Sequence, residues 1–262
     1  MIGFNNLGNM GRLGNQMFEY ATLRGIAANK KYDWCIPPFN IKGIENYSLD
    51  RAFTLPSVQE RNLMILDNGH APVVGERYFH FDKELFDLCP DHISLNGFFQ
   101  TEKYFKDIRN EIRKDFEFKD EIKQPCSQMI SNVENPVALH IRRTDYITNP
   151  NHTCLSMEYY KKALSYFDSA SVLIFSDDPV WCKEHELFED DRFMVSEGND
   201  QYIDMCLMSL CDGHIIANSS FSWWGAWLSK SRKIIAPSGW FEGSDNSHLD
   251  TKDIYCSGWT VL

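Results

Sequence analysis

Missing from this 262-residue chain are a Cys-x-x-Cys pair, an Asp-x-Asp triplet, a basic excess and any long apolar run. Without Cys-x-x-Cys spacing, the cysteines at 35, 89, 126, 154, 182, 206, 211 and 256 form no zinc or redox motif. Several lie in apolar contexts such as Met205-Cys-Leu-Met-Ser-Leu-Cys211, which reads as small buried hydrophobes in a reducing compartment rather than a disulfide framework. The formal net charge of −11, from 26 Lys and Arg against 37 Asp and Glu, argues against broad electrostatic binding to nucleic acid or anionic lipid. An anionic ligand therefore needs a local basic site. No run reaches the ~18 apolar residues of a membrane-spanning helix. The start, Met1-Ile-Gly-Phe-Asn-Asn-Leu-Gly8, lacks the basic and apolar regions of a signal peptide, so a soluble cytoplasmic chain is expected. Without Asp-x-Asp there is no obvious cradle for a divalent ion, and only Asp177 and Asp178 leave one open.

What is present supports a substantial core. Hydrophobic residues make up 43% and aromatics 14%, enough for one large or two modest domains. From Val137 onward, short apolar runs alternate with helical segments. The strands read as Val137–Ile141, Val172–Phe175, Arg192–Val195, His214–Ala217 and Lys233–Ala236. The intervening helices read as Ser156–Phe167, a segment opened by Pro179, Asp200–Cys211 and a segment leading to Leu228. Such alternation predicts a parallel sheet covered on both faces. The first half is less regular. Ile2–Leu7 is a weak first strand, residues 32–77 read as loops and short elements, Phe79–Asp82 and Ile93–Phe99 as strand material, and Tyr104–Phe116 as a helix. The polar stretch Lys119–Pro136, bracketed by Pro125 and Pro136, is the best boundary, giving domains over 1–125 and 126–262.

Three strands of the second half end in polar clusters: His140 to Asp145, Ser176 to Asp178, and Asn218 to Ser222. Right-handed crossovers put the carboxyl ends of parallel strands on one edge, so the three clusters should converge on one crevice. Arg142 and Arg143 suit an anion, because a guanidinium stays charged and donates in pairs. Equally, either arginine can simply pair with Asp145. Asn218, Ser219 and Ser220 precede an apolar helix and offer a phosphate site at its amino end, or just its cap. Asp177 and Asp178 suit ribose hydroxyls or a base N–H, or cap a helix. Trp223, Trp224 and Trp227 at helical spacing read as core more readily than as a sugar platform. Near the start, the glycines at 8, 11 and 14 feed a helix-like run. Their spacing is not Gly-x-Gly-x-x-Gly, and a tight turn with Asn15 as helix cap accounts for them as well as a ligand does.

Gly11-Arg-Leu-Gly-Asn-Gln-Met-Phe-Glu-Tyr-Ala21, His140-Ile-Arg-Arg-Thr-Asp145, Phe175-Ser-Asp-Asp178 and Ala217-Asn-Ser-Ser-Phe-Ser-Trp-Trp-Gly-Ala-Trp-Leu228 together resemble the α-1,2-fucosyltransferases of glycosyltransferase family 11. The resemblance runs from about Gly8 to Ala236. It departs where Gly-Arg-Leu-Gly-Asn-Gln replaces the usual Gly-Gly-Leu-Gly-Asn-Gln. It implies a GT-B-like α/β fold of two Rossmann-type domains with parallel sheets and a donor cleft between them, the first domain on the acceptor side and the second holding GDP-L-fucose.

Carried over by residue, the resemblance implies catalytic roles for Arg142, His140 and Asp145. It also implies donor contacts from Asn15, Gln16, Arg142, Arg143, Asp177, Asp178, Asn218, Ser219 and Ser220. The reaction it implies is inverting transfer of fucose to the 2-hydroxyl of a terminal galactose on an oligosaccharide or glycolipid, with no metal and no cofactor beyond the donor. The general base is open, with Asp145 and Glu19 as weak candidates. Location is cytoplasmic, or peripheral at a membrane where glycans are assembled. Alternatives are a fucosyltransferase of α-1,6 or protein O-linked type, a glycan-binding module using the tryptophan stripe, or a nucleotide-binding regulator.

Overall fold

The computed structural model describes residues 1–42, 44 and 46–262, and the chain divides into two compact units. One comprises Met1–Lys119 and Asp250–Cys256, the other Asp120–Leu249 and Ser257–Leu262. The first contains β1 (Ile2–Gly3), α1 (Leu13–Lys30), β2 (Trp34–Cys35), α2 (Leu49–Ala52), β3 (Val73–Gly75), α3 (Lys83–Leu88), β4 (Ser94–Asn96) and α4 (Arg109–Asp115). The second contains α5 (Asp120–Ile130), β5 (Val137–Ile141), α6 (Thr144–Thr148), α7 (Met157–Leu164), β6 (Val172–Ser176), α8 (Pro179–Glu184), β7 (Phe193–Val195), α9 (Gln201–Ser209), β8 (Gly213–Ile215), α10 (Ser220–Leu228), β9 (Ile234–Ala236) and β10 (Thr260–Val261). Among the described residues no helix is long and apolar enough to cross a membrane.

Both sheets are parallel, as the alternation predicts. The second has the order β10-β9-β8-β5-β6-β7. Its central strand β5 reads Val-Ala-Leu-His-Ile and is buried at every position, because helices cover both faces. From β5 the chain steps outward through β6 to β7, then returns to lay β8 against the other side of β5. The order therefore reverses between β5 and β8, and in open parallel sheets the ligand crevice lies beyond the carboxyl ends at such a point.

The first unit has the order β2-β1-β4-β3, with its reversal between β1 and β4. Helix α1 is buried along most of its length against this sheet's surroundings. Gly25 lets α1 pass directly over the backbone at Tyr104, whose carbonyl oxygen would lie 1.9 Å from an added Cβ. At the centre of this packing Asp115 is fully buried. One carboxylate oxygen accepts the Ser57 N–H at 2.9 Å, and the other accepts the Tyr20 hydroxyl at 2.9 Å and the Arg24 guanidinium. Arg24 in turn lies 4.7 Å from the Trp34 ring centroid.

Several local expectations differ. Phe79–Asp82 is not a strand: Asp82 caps α3 by accepting the Leu85 N–H at 3.0 Å and holds the Arg77 guanidinium at 2.7 Å. The strand of that region is β3, in the stretch read as loops, where Gly43 and Glu45 lie outside the described residues. Residues 104–116 start as two short 3₁₀ turns and become α-helical only at Arg109. Pro125 sits inside α5, so the chain divides at Lys119–Asp120 rather than after residue 125, and residues 250–256 return to the first unit.

Replacing Asp115 with Ala strands the Arg24 charge and two buried donors. The expected loss, read from chemical denaturation, is about 3–5 kcal/mol, the usual cost of breaking a buried pair. A loss under ~1 kcal/mol would show the network to be dispensable.

Candidate active site

The three polar strand ends meet as the topology requires, since β8, β5 and β6 are neighbours. Register sets Ile141 against Ser176, so the residues that follow each strand start level. Asp177 then reaches across. Its carboxylate accepts the Arg143 backbone N–H at 2.9 Å, the Thr144 N–H at 3.2 Å and the Thr144 hydroxyl, and lies 3.2 Å from the Arg142 guanidinium. Burial works to raise the Asp177 carboxyl. The hydrogen bonds from Thr144 and Arg143 and the charge of Arg142 outweigh it and hold the group below its ordinary value. Asp177, expected to meet a nucleoside, clamps the loop after β5.

Arg142 is mostly buried. It pairs with Asp145 at 2.6 Å and lies 5.4 Å from the Tyr146 ring centroid, while Tyr146 stacks on His152 at 4.4 Å. The simple ion pair foreseen for Arg142 and Asp145 is thus formed, with Asp177 added to it. Arg143 points elsewhere. Its guanidinium sits 3.8 Å from the Trp181 ring centroid and 3.4 Å from Asp178, which itself caps α8 through the Trp181 N–H. Arg143 and Asp178 therefore tie the loop to α8.

His140, expected to act in catalysis, lies within β5. Its ring is buried, with Nδ1 2.9 Å from the Ser222 hydroxyl and Phe221 beside it. Burial, with a contribution from Arg142, pushes its pKa down to about 3, so it stays neutral at physiological pH and joins β5 to α10.

On the neighbouring strand end, Asn218 is buried and donates to the Thr153 and Trp240 carbonyls, both at 2.9 Å. The Tyr146 hydroxyl donates to the Asn218 carbonyl at 3.1 Å. These bonds fix the approach to α10, which begins with half-exposed Ser219 and Ser220. Ser219 caps the helix by accepting the Phe221 N–H at 3.3 Å. Helix and cap together leave partial positive charge at this amino end, beside the loop that carries Arg142. Trp223, Trp224 and Trp227 are fully buried and pack on one another, so the stripe is core and not a sugar platform.

Of the two donor contacts expected from the first unit, Gln16 lies on α1. It is fully buried, donating to the Asn46 carbonyl at 2.7 Å and accepting the Ser48 N–H at 2.9 Å, and so organises its own loop. Asn15 is not the helix cap, since Arg12 occupies that position without a side-chain bond. It accepts from Gln100 at 3.1 Å and folds over Gly11. Glu19, a candidate base, is buried beyond reach of solvent. Among the described residues no group of three or more His, Cys, Asp or Glu is arranged to hold a metal ion.

Comparison with known proteins bears on family and fold. The sequence model described as Glycosyl transferase family 11 matches residues 1–262. An α-1,2-colitosyltransferase of Escherichia coli is 31% identical over 92% of this chain and 93% of its own length. The galactoside 2-α-L-fucosyltransferase SEC1 of Bos taurus is 25% identical over 89% of this chain and 67% of its own. Among solved structures, POFUT1 in complex with GDP superposes with a TM-score of 0.57 at 13% identity, covering 90% of this chain and 96% of that one. This likeness shows the GT-B-like fold that the motifs imply. Because the family match runs unbroken through both units, the chain belongs to glycosyl transferase family 11.

Proposed function

We propose that the chain transfers L-fucose from GDP-β-L-fucose to the 2-hydroxyl of a terminal galactose, with inversion and without a metal ion. The observation that carries this reading is the placement of Arg142 and the amino end of α10 after adjacent parallel strands, at the point where the strand order reverses. In one displacement the acceptor oxygen bonds to the anomeric carbon while the bond from that carbon to the β-phosphate oxygen breaks, giving an α linkage. Negative charge grows on the departing GDP. Arg142 and the α10 amino end, with Ser219 and Ser220, stabilise it. A preorganised group of this kind is typically worth ~3–4 kcal/mol. Asp145 and Asp177 hold the guanidinium in place beforehand, and its five donors exceed what two carboxylates use.

A second reading rests on the relative named α-1,2-colitosyltransferase. There the donor sugar would be colitose, which lacks the 3-hydroxyl of fucose, with the leaving-group chemistry unchanged. Incubation with GDP-fucose and with GDP-colitose, over a panel of galactose-terminated oligosaccharides, separates the two by product mass. NMR of the product fixes the linkage. An α-1,2-fucosylated galactoside is the expected product; an α-1,6 or peptide-linked product, or no turnover, would refute the reading.

Arg142→Ala should lower turnover at least ~100-fold while circular dichroism stays unchanged. Near-normal turnover would remove Arg142 from the mechanism. Activity should also survive prolonged EDTA treatment, and a need for added Mn²⁺ or Mg²⁺ would contradict the metal-free account.

A further inference from the structure

The proposed reaction asks Arg142 and the amino end of α10 to meet one diphosphate together. They follow different strands, β5 and β8, so the distance between them has to be set by something else. Tyr146, on α6, touches both sides. Its ring centroid lies 5.4 Å from the Arg142 guanidinium, and its hydroxyl donates to the Asn218 carbonyl at 3.1 Å. Asn218 directly precedes Ser219, the cap of α10.

The contacts around Tyr146 close on themselves. The His152 ring stacks on it at 4.4 Å, with only 5° between the two planes. The next residue, Thr153, offers its carbonyl to the Asn218 side chain at 2.9 Å. A circuit therefore runs from Tyr146 to Asn218, on to Thr153, and back through His152 to Tyr146. The chain between these points is folded back too, since the His152 N–H donates to the Asn149 carbonyl at 3.2 Å and the Asn149 N–H to the Asp145 carbonyl at 3.0 Å. All of these residues belong to the second unit.

His152 works in this circuit through its flat face. Its Nδ1 is buried and has no hydrogen-bond partner among the described residues. Burial lowers its pKa, Asp145 opposes that and Arg142 adds to it, so the ring is neutral at physiological pH. Phe241 lies farther along the stack, its centroid 6.2 Å from that of His152.

We propose that Tyr146 is a positioning residue that sets the separation between the Arg142 guanidinium and the amino end of α10, with His152 holding its ring in place. The assignment rests on the glycosyl-transfer reading above and deepens it. Two anchors that must grip one diphosphate are useful only at the right spacing, and the grip matters most as charge grows on the leaving group. A tyrosine suits a strut because its ring is stiff and its far end carries a hydrogen-bond donor.

The test measures GDP affinity by calorimetry, and transfer kcat and donor KM, for Tyr146→Phe, His152→Ala and His152→Phe. Tyr146→Phe keeps the ring and removes the tie to Asn218. It should weaken GDP binding roughly 5–10-fold and lower kcat/KM for the donor at least as much. In an Arg142→Ala background the same change should alter GDP affinity by less than about twofold, because one of the two anchors is already gone. His152→Ala should weaken GDP binding roughly fivefold, and His152→Phe, which restores a planar ring, should stay within about twofold of wild type.

A merely structural role would lower kcat in proportion to folded protein and leave GDP affinity and donor KM unchanged, and that result overturns the assignment. So does a loss from Tyr146→Phe that is equally large with Arg142 present or absent. Should Tyr146→Phe fail to fold by circular dichroism, the His152 pair decides: His152→Phe as damaging as His152→Ala refutes the stack. Wild-type protein that binds GDP and transfers the sugar, while Tyr146→Phe matches it, overturns this assignment alone. Wild-type protein that neither binds GDP nor turns over a GDP-sugar overturns the glycosyl-transfer reading, and this assignment with it.

Discussion

A single carboxylate, that of Asp177, organises the second unit's strand ends. By taking two backbone N–H groups, one hydroxyl and one guanidinium from the loop after β5, it fixes a segment that otherwise has little packing of its own. The parallel pairing of β5 with β6 makes this possible, because Ile141 and Ser176 come level and the residues after them must then face each other. Ionisation of Asp177 is favoured by those partners despite burial, so the clamp and the charge of Arg142 sustain each other. Two guanidiniums against three carboxylates leave no excess positive charge among these side chains. In the proposed reaction, attraction for the diphosphate would then come from geometry: a held fork beside the amino end of α10.

The polar groups buried beneath this edge have a common logic. His140 reaches Ser222, Asn218 reaches two carbonyls, and Asn218's own carbonyl receives Tyr146, so β5, α6 and the start of α10 are joined by directional bonds. Each leaves a donor or acceptor stranded if lost, at a typical cost of about 1–3 kcal/mol. The geometry of the edge is thus secured from below, by buried directional bonds.

The second unit was largely legible in the sequence because its sheet is covered on both faces. Val137–Ile141 and Val172–Phe175 are continuous apolar runs, and the alternation with helices allowed a parallel sheet and one shared edge to be inferred before any contact was known. Side-chain roles were less legible. Gln16 and His140 sit in motifs that suggest ligand contact, yet their partners are some 30 and 82 residues away, and no local pattern reveals them. Pro125 misled for a related reason, since α5 accommodates it and continues.

The central claim is that fixed charge and helix polarity at adjacent strand ends receive the leaving diphosphate. A structure of this chain with GDP bound tests it most directly. The account predicts the β-phosphate within hydrogen-bond distance, ~3 Å, of both the Arg142 guanidinium and the Ser219–Ser220 end of α10. A diphosphate seated away from Arg142, with the guanidinium still held only by Asp145 and Asp177, would contradict it.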